Sequence, residues 1–192
     1  MRTAWKLWLG ALLVAGVGGA ASLPAAGAVE SKPTCQSNDD YLVIHRESAL
    51  GPGSDILIRR KAPGADIACV YRKAPGDQEI KGAQDADYVL GLAGRFLVMD
   101  RGTGPSRKLV LWDIPANKAA LALDYDDSVP VKVEPTVITF SEITGPATAK
   151  TCARWKDVTK DGLTAVLAVN TRITVPALTR SHTGATRCIA QQ

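Results

Sequence analysis

Short apolar runs alternate with polar residues along most of this chain, and turn residues separate the runs about every 8–12 positions, the spacing typical of sandwiches and barrels. We therefore expect an all-β fold, an antiparallel meander forming a small sandwich or barrel-like domain with few or no helices. The expected strands are 41–46, 56–61, 67–73, 95–99, 108–114, 118–124, 129–133, 137–143 and 164–174. Helical turns are expected only within 83–91 and 150–156, and the last ten residues read as irregular except at Cys188.

One pentapeptide, Arg-Lys-Ala-Pro-Gly, occurs twice, at 60–64 and 72–76. Each copy follows an expected strand. Proline fixes φ near the value that a turn requires, and glycine accepts a positive φ, so both copies predict turns. Two copies are too few for a solenoid.

The first 28 residues have the pattern of an export signal. Arg2 and Lys6 form a basic start, 7–21 is apolar or glycine, and Ala26-Gly27-Ala28 has the small-x-small pattern of a cleavage site. We expect 1–28 to be a signal peptide and 29–192 a single disulfide-stapled β-domain. No stretch after residue 28 is long and apolar enough to be expected to cross a bilayer. The expected location of the protein is therefore a periplasm or the outside of the cell.

Export determines how the four cysteines are interpreted. None lies in a Cys-x-x-Cys pair, which argues against a thioredoxin-like redox site or a zinc ribbon. Scattered cysteines in an oxidising compartment indicate disulfides. Three pairings are open, and we favour Cys35–Cys69 with Cys152–Cys188 because each closes a moderate loop in one half of the chain.

The net charge of the chain excludes few functions, but it argues against nucleic-acid binding. Without the leader, 21 basic and 19 acidic residues remain, a net of +2, whereas nucleic-acid binding requires a clustered basic face. No phosphate loop, dinucleotide fingerprint, nucleophile elbow or metal motif occurs. We therefore assign no catalytic residue, no metal ligand and no cofactor.

One basic cluster is predicted at the first hairpin. If strands 56–61 and 67–73 pair, five charges gather at one end, where they could meet an acidic partner. These candidate binding residues are Arg59, Arg60, Lys61, Arg72 and Lys73.

Two further readings stay open. A small secreted hydrolase could use His45 or His182, provided that the fold brings a carboxylate and a hydroxyl within hydrogen-bond distance; if Ile44 faces the core, alternation turns His45 outward. A calcium-stabilised module could use the acidic turns Asp124–Asp127 or Asp157–Asp161, since oxygen-rich turns hold calcium.

The reading we favour is an exported, non-enzymatic binding protein of the cell envelope. It would be a rigid scaffold that contacts another envelope or secreted protein, as inhibitors and immunity-type proteins do. The basic hairpin and the loop 102–106 are the expected contact regions. The comparison with inhibitors rests on architecture alone.

Overall fold

In a computed structural model of the chain, the described residues, 31–160 and 162–191, form two antiparallel sheets. The predicted signal peptide and Asp161 lie outside the described residues. The smaller sheet has the order β1-β2-β3-β4, and a short helix, α1, follows it. Its elements are β1 (Thr34–Ser37), β2 (Tyr41–Glu47), β3 (Ser54–Arg60), β4 (Gln78–Ile80) and α1 (Gly82–Asp85).

The larger sheet has eight strands in the order β12-β11-β10-β8-β7-β6-β5, with β9 added beside β10. Every neighbour pair is antiparallel, so the expected all-β meander is confirmed. The elements are β5 (Asp87–Ala93), β6 (Phe96–Arg101), β7 (Arg107–Asp113), β8 (Lys118–Tyr125), β9 (Lys132–Glu134), β10 (Val137–Pro146), α2 (Trp155–Lys160), β11 (Thr164–Thr174) and β12 (Thr179–Gln191).

The larger sheet curls into a half-barrel around its own core. Strand β9 pairs with the start of β10 and also contacts β5. Gly91 permits this approach, because a Cβ there would lie 2.8 Å from the Val133 Cβ. The enclosed cluster is built on fully buried Phe96, Leu111 and Ile138.

The smaller sheet is apolar on both faces. Alternate residues of β2 point to opposite sides. Val43 packs between the sheets with Ile58, Leu97 and Met99, whereas Ile44 belongs to a separate buried cluster on the other side. That second cluster is covered by chain rather than by a sheet, and the covering chain forms the candidate surface below.

Both expected disulfides are present. Cys35–Cys69 ties β1 to the chain that covers the smaller sheet, and Cys152–Cys188 ties the turn before α2 to β12. The described residues contain no free cysteine. Two disulfides indicate an oxidising, extracytoplasmic environment.

Two expected elements are wrong. Residues 67–73 do not form a strand, and β4 takes the place beside β3. The tail, expected to be irregular, is the long strand β12. Helices occur near the expected places, although α2 lies later than predicted. Neither helix in the described part of the chain has the length or apolar character needed to cross a bilayer.

The Cys152–Cys188 bridge should contribute strongly to stability. The chain-entropy estimate for the 36-residue separation is about 3–4 kcal/mol. The Cys152→Ala/Cys188→Ala double variant should lower the free energy of unfolding by that amount in urea titrations. Since β12 is held at this end by the bridge, hydrogen exchange in 186–191 should also accelerate. An unchanged urea midpoint would contradict this role.

Candidate binding surface

The cover of the smaller sheet is residues 61–77, called here the covering segment. It leaves β3 through one Ala-Pro-Gly turn and reaches β4 through the other. In the first turn, the Ala65 amide donates to the Ala62 carbonyl at 3.1 Å, and in the second the Asp77 amide donates to the Ala74 carbonyl at 3.1 Å. Gly64 and Gly76 have φ values of 72° and 87°, so both expected turns are confirmed.

Apolar contacts hold the covering segment against the sheet. Ile67 and Tyr71 pack on the buried cluster of Leu42, Ile44 and Leu57. The Arg46 guanidinium stacks 4.2 Å from the centre of the Tyr71 ring. Burial raises the pKa of Tyr71 to about 12. The neighbouring Cys35–Cys69 bridge fixes the segment covalently at the same place.

Arg59 fixes the far end of the covering segment. Its Nε and Nη2 donate to the two carboxylate oxygens of Asp77 at 2.8 and 2.6 Å, and Nη2 also donates to the Arg72 carbonyl at 2.9 Å. The Asp77 carboxylate accepts a further bond from the Ala74 amide at 2.8 Å. The hydrogen bond from Arg59 holds the pKa of Asp77 below its ordinary value.

The middle of the segment is extended and unpaired with any strand. Amides bond two residues back instead, from Val70 to the Ala68 carbonyl at 2.9 Å and from Arg72 to the Val70 carbonyl at 2.8 Å. With Tyr71 turned to the sheet, Val70 faces outward and is 50% exposed. A shallow pocket of about 320 Å³ lies here between Val70, Ile67 and the stems of Arg59 and Arg72.

The five predicted basic residues do not form one patch. Arg59, Arg72 and Lys73 lie around the covering segment, and Lys73 pairs with Glu79 at 2.6 Å. By alternation along β3, Arg60 lies on the other face of the sheet.

Arg60 and Lys61 differ from the other three basic residues in their surroundings. Arg60 borders a different pocket, of about 340 Å³, with Tyr41 and Pro115. Lys61 donates to the Asn38 carbonyl at 3.0 Å. Among the described residues, Arg60, Lys61 and Arg72 make no ion pair, and of these three Arg72 is the one that lies beside Val70.

Sequence reasoning missed Val70 and Tyr71. The pattern Ile-Ala-Cys-Val-Tyr predicts a strand, whereas the structure has none at 67–73. The signal that was available is Cys69 itself, since a disulfide to β1 requires this stretch to cross the sheet rather than extend it.

The two histidines lie far apart in different sheets. His45 shares a face with Ile56 between the sheets and is half-buried rather than outward. Burial lowers its pKa, and its Nε2 has no hydrogen-bond partner in the described structure. The outward orientation expected for His45 is therefore wrong, because both faces of β2 are covered.

His182 lies beside a buried carboxylate. Its Nε2 is 3.5 Å from Oε2 of Glu142, whose side chain is 7% exposed. The same carboxylate accepts bonds from Arg180 Nη1 at 2.8 Å and from the Thr171 hydroxyl at 2.9 Å. The hydroxyl is thus bound to the carboxylate rather than to the imidazole, so the cluster satisfies a buried acid and presents no activated nucleophile.

The first acidic turn is occupied by its own chain. Asp126 accepts bonds from the Ser128 amide at 3.2 Å and from the Ser128 hydroxyl, and Asp124 pairs with Lys108 at 2.7 Å. The second turn includes Asp161, which lies outside the described residues. Over 31–160 and 162–191, no three His, Cys, Asp or Glu side chains are grouped so that they could hold a metal ion.

The other expected contact region, the loop 102–106, joins β6 to β7 and is exposed. Pro105 accepts a bond from the Gln191 side chain at 3.1 Å. With Tyr125, Asp127 and Ser128 it lines a pocket of about 200 Å³.

No family model, no curated protein and no solved structure matches this chain.

Asp77 provides a test of what fixes the covering segment. The folded pKa of Asp77 is depressed, so its stabilising effect is complete above the ordinary carboxyl pKa and is lost as the pH falls through the folded value. Asp77→Asn should lower the free energy of unfolding at pH 7 by about 1–2 kcal/mol, and by much less near pH 2. Urea titrations at both pH values measure this.

Asp66→Asn is the matched control for that variant. Asp66 is an exposed carboxylate of the same segment that makes no side-chain hydrogen bond in the described structure. Its loss should leave the urea midpoint within error at both pH values. A pH-independent effect of Asp77→Asn would show that packing, and not the ion pair, is responsible.

Proposed function

We propose that this chain is an exported binding protein of the cell envelope, periplasmic or secreted, that acts by protein–protein contact through its covering segment. The observation that carries the proposal is Val70, half exposed on a stretch that is fixed from behind. Partners bind rigid segments with a smaller entropic cost than mobile ones. The bridge at Cys69 and the buried ring of Tyr71 supply that rigidity.

The chemistry of the segment fits a protein partner. Interfaces combine a desolvated apolar anchor with a charged rim. Val70 is the anchor, and Arg72 stands beside it without an acidic partner among the described residues. The complementary surface is an apolar depression bordered by carboxylates. Lys73, which pairs with Glu79, belongs to the rim.

An inhibitor or immunity-type protein is the form of binding protein that this arrangement favours. Such proteins hold an exposed segment in one conformation before the partner arrives, and the enzyme they meet is exported too. This step rests on analogy between architectures. Because Arg72 makes no ion pair among the described residues, the expected partner surface is acidic.

Val70→Asp tests this function. The substitution places a charge where an apolar anchor would be buried, so affinity for the partner should fall at least thirtyfold, corresponding to a contact of about 2 kcal/mol. The immobilised protein is used to capture its partner from envelope extracts, and the affinity is then measured with both proteins purified. Arg72→Glu should weaken binding as well, by about tenfold.

Leu50→Asp is the matched control. Leu50 is the other large exposed apolar residue in the described part of the chain, 84% exposed in the turn between β2 and β3. Its substitution should leave binding unchanged. Capture of no stoichiometric partner, or equal binding by the Val70 and Leu50 variants, would overturn the proposal.

A further inference from the structure

The terminal strand β12 has an open edge. It pairs with β11 and closes one end of the larger sheet, and no other described strand lies beside it. Its residues 179–187 are all exposed. An unpaired edge presents a row of free amide and carbonyl groups, which is a template for a further strand.

This edge is held in place rather than frayed. In the ladder between β11 and β12, Thr164 pairs with Gln191 at one end and Thr174 pairs with Thr179 at the other. One register shift, near Ala168, interrupts this ladder. Cys152–Cys188 anchors the strand toward its end. A fixed edge can accept a partner strand without first paying the full entropy of ordering itself.

The part of the chain that forms this edge is rich in basic residues without an ion pair in the described structure. Residues 143–192 contain seven basic and two acidic residues. Only Arg180 among the seven makes an ion pair in the described structure, with Glu142. The other six are Lys150, Arg154, Lys156, Lys160, Arg172 and Arg187.

Arg187 shows how the positive charge is left available. Its Nη2 donates to the Ser141 hydroxyl at 2.9 Å and to the Asn170 amide oxygen at 3.3 Å. Both acceptors are neutral, so the guanidinium is positioned but not compensated. Charge-assisted bonds to a carboxylate are stronger than bonds to neutral oxygens.

The two arginines of β11 and β12 that make no ion pair in the described structure, Arg172 and Arg187, stand on one face of the sheet. His182 pairs with Thr171 and Arg180 with Ile173, which places them on one face, whereas Arg172 and Arg187, opposite Ala168, lie on the other. An added strand sends alternate side chains to both faces. Every second side chain of an added strand therefore lies over Arg172 and Arg187, while its main chain bonds to the open edge of β12, which a flat anionic surface such as a membrane cannot do.

We propose that β12 is a docking edge for an extended, acidic segment of a partner protein, which adds to the sheet as a further antiparallel or parallel strand. Main-chain bonds to the regular stretch 179–183 supply affinity, and carboxylates at alternate positions of the added strand, on the face of Arg172 and Arg187, meet these two guanidinium groups. The small side chains of 183–186 leave the edge accessible. This surface is separate from the covering segment, and binding at one surface does not depend on binding at the other.

Fluorescein-labelled peptides of about ten residues test the proposal, since that length spans 179–187. The panel alternates Glu with Thr, Glu with Val, and Asp with Ser, and a Lys–Thr peptide is the charge control. Anisotropy measures affinity, and hydrogen exchange maps the contact. At least one acidic peptide should bind, with protection confined to β12, while the Lys–Thr peptide should not.

Two kinds of variant separate strand addition from simple charge attraction. Arg172→Glu should weaken peptide binding about tenfold, whereas Lys118→Glu, an equal charge change at an exposed residue of β8, should not. The binding peptide is also N-methylated at alternate residues, in each of the two possible registers. The two methylated peptides should differ in affinity, because methylation of the amides that face β12 removes binding.

Three outcomes would overturn the proposal. The first is that no acidic peptide of the panel binds. The second is that binding is indifferent to N-methylation in both registers, or that protection lies outside β12. The third is that heparin or phosphatidylglycerol vesicles bind more tightly than every peptide, which would make the surface a polyanion site. Val70→Asp should leave peptide binding unchanged in every case.

Discussion

The structure depends on a sheet that is apolar on both sides. In β2 and β3, residues facing the half-barrel and residues facing away are equally buried, with Val43, Ile44, Ile56 and Leu57 fully enclosed. The larger sheet can cover one side only. Exposed apolar surface of this size is unfavourable in water, so a second cover is required. The covering segment supplies it without forming a strand, and this requirement explains its bridge, its buried tyrosine and its two identical turns.

The need to cover the second face of the smaller sheet also determines which residues of the covering segment face solvent. A strand that covers a core can share its backbone bonds with neighbours, but this segment lies across the sheet and bonds within itself and to Arg59. Ile67 and Tyr71 are turned inward by the core, so the residue between Cys69 and Tyr71 is turned to solvent. An exposed valine in a fixed conformation therefore follows from the packing.

The sequence predicts what depends on local pattern and fails where tertiary constraints decide. Alternation located most of the strands, and the Pro-Gly pairs located both turns, because these signals are local. The stretch 67–73 has β-rich composition, yet the bridge at Cys69 draws it across the sheet. β12 was missed for the opposite reason: it is exposed on both faces, so Thr, Ser, Gly and Arg follow one another with no apolar alternation. Of the candidate surface, the basic rim could be predicted, but the anchor could not, since its orientation is set by the ring of Tyr71.

Charge is distributed as unevenly as burial. The described ion pairs are concentrated between Arg59 and Asp124, where carboxylates on neighbouring strands meet arginines, as Asp87 meets Arg101 and Asp100 meets Arg107. Such pairs fix register and cancel charge locally. Beyond β10 the carboxylates are few, and Arg187 is held by neutral oxygens. The protein therefore has a small overall net charge but a positive end. The composition does not show this end, because its charges come together only when β11 and β12 lie at one edge of the sheet.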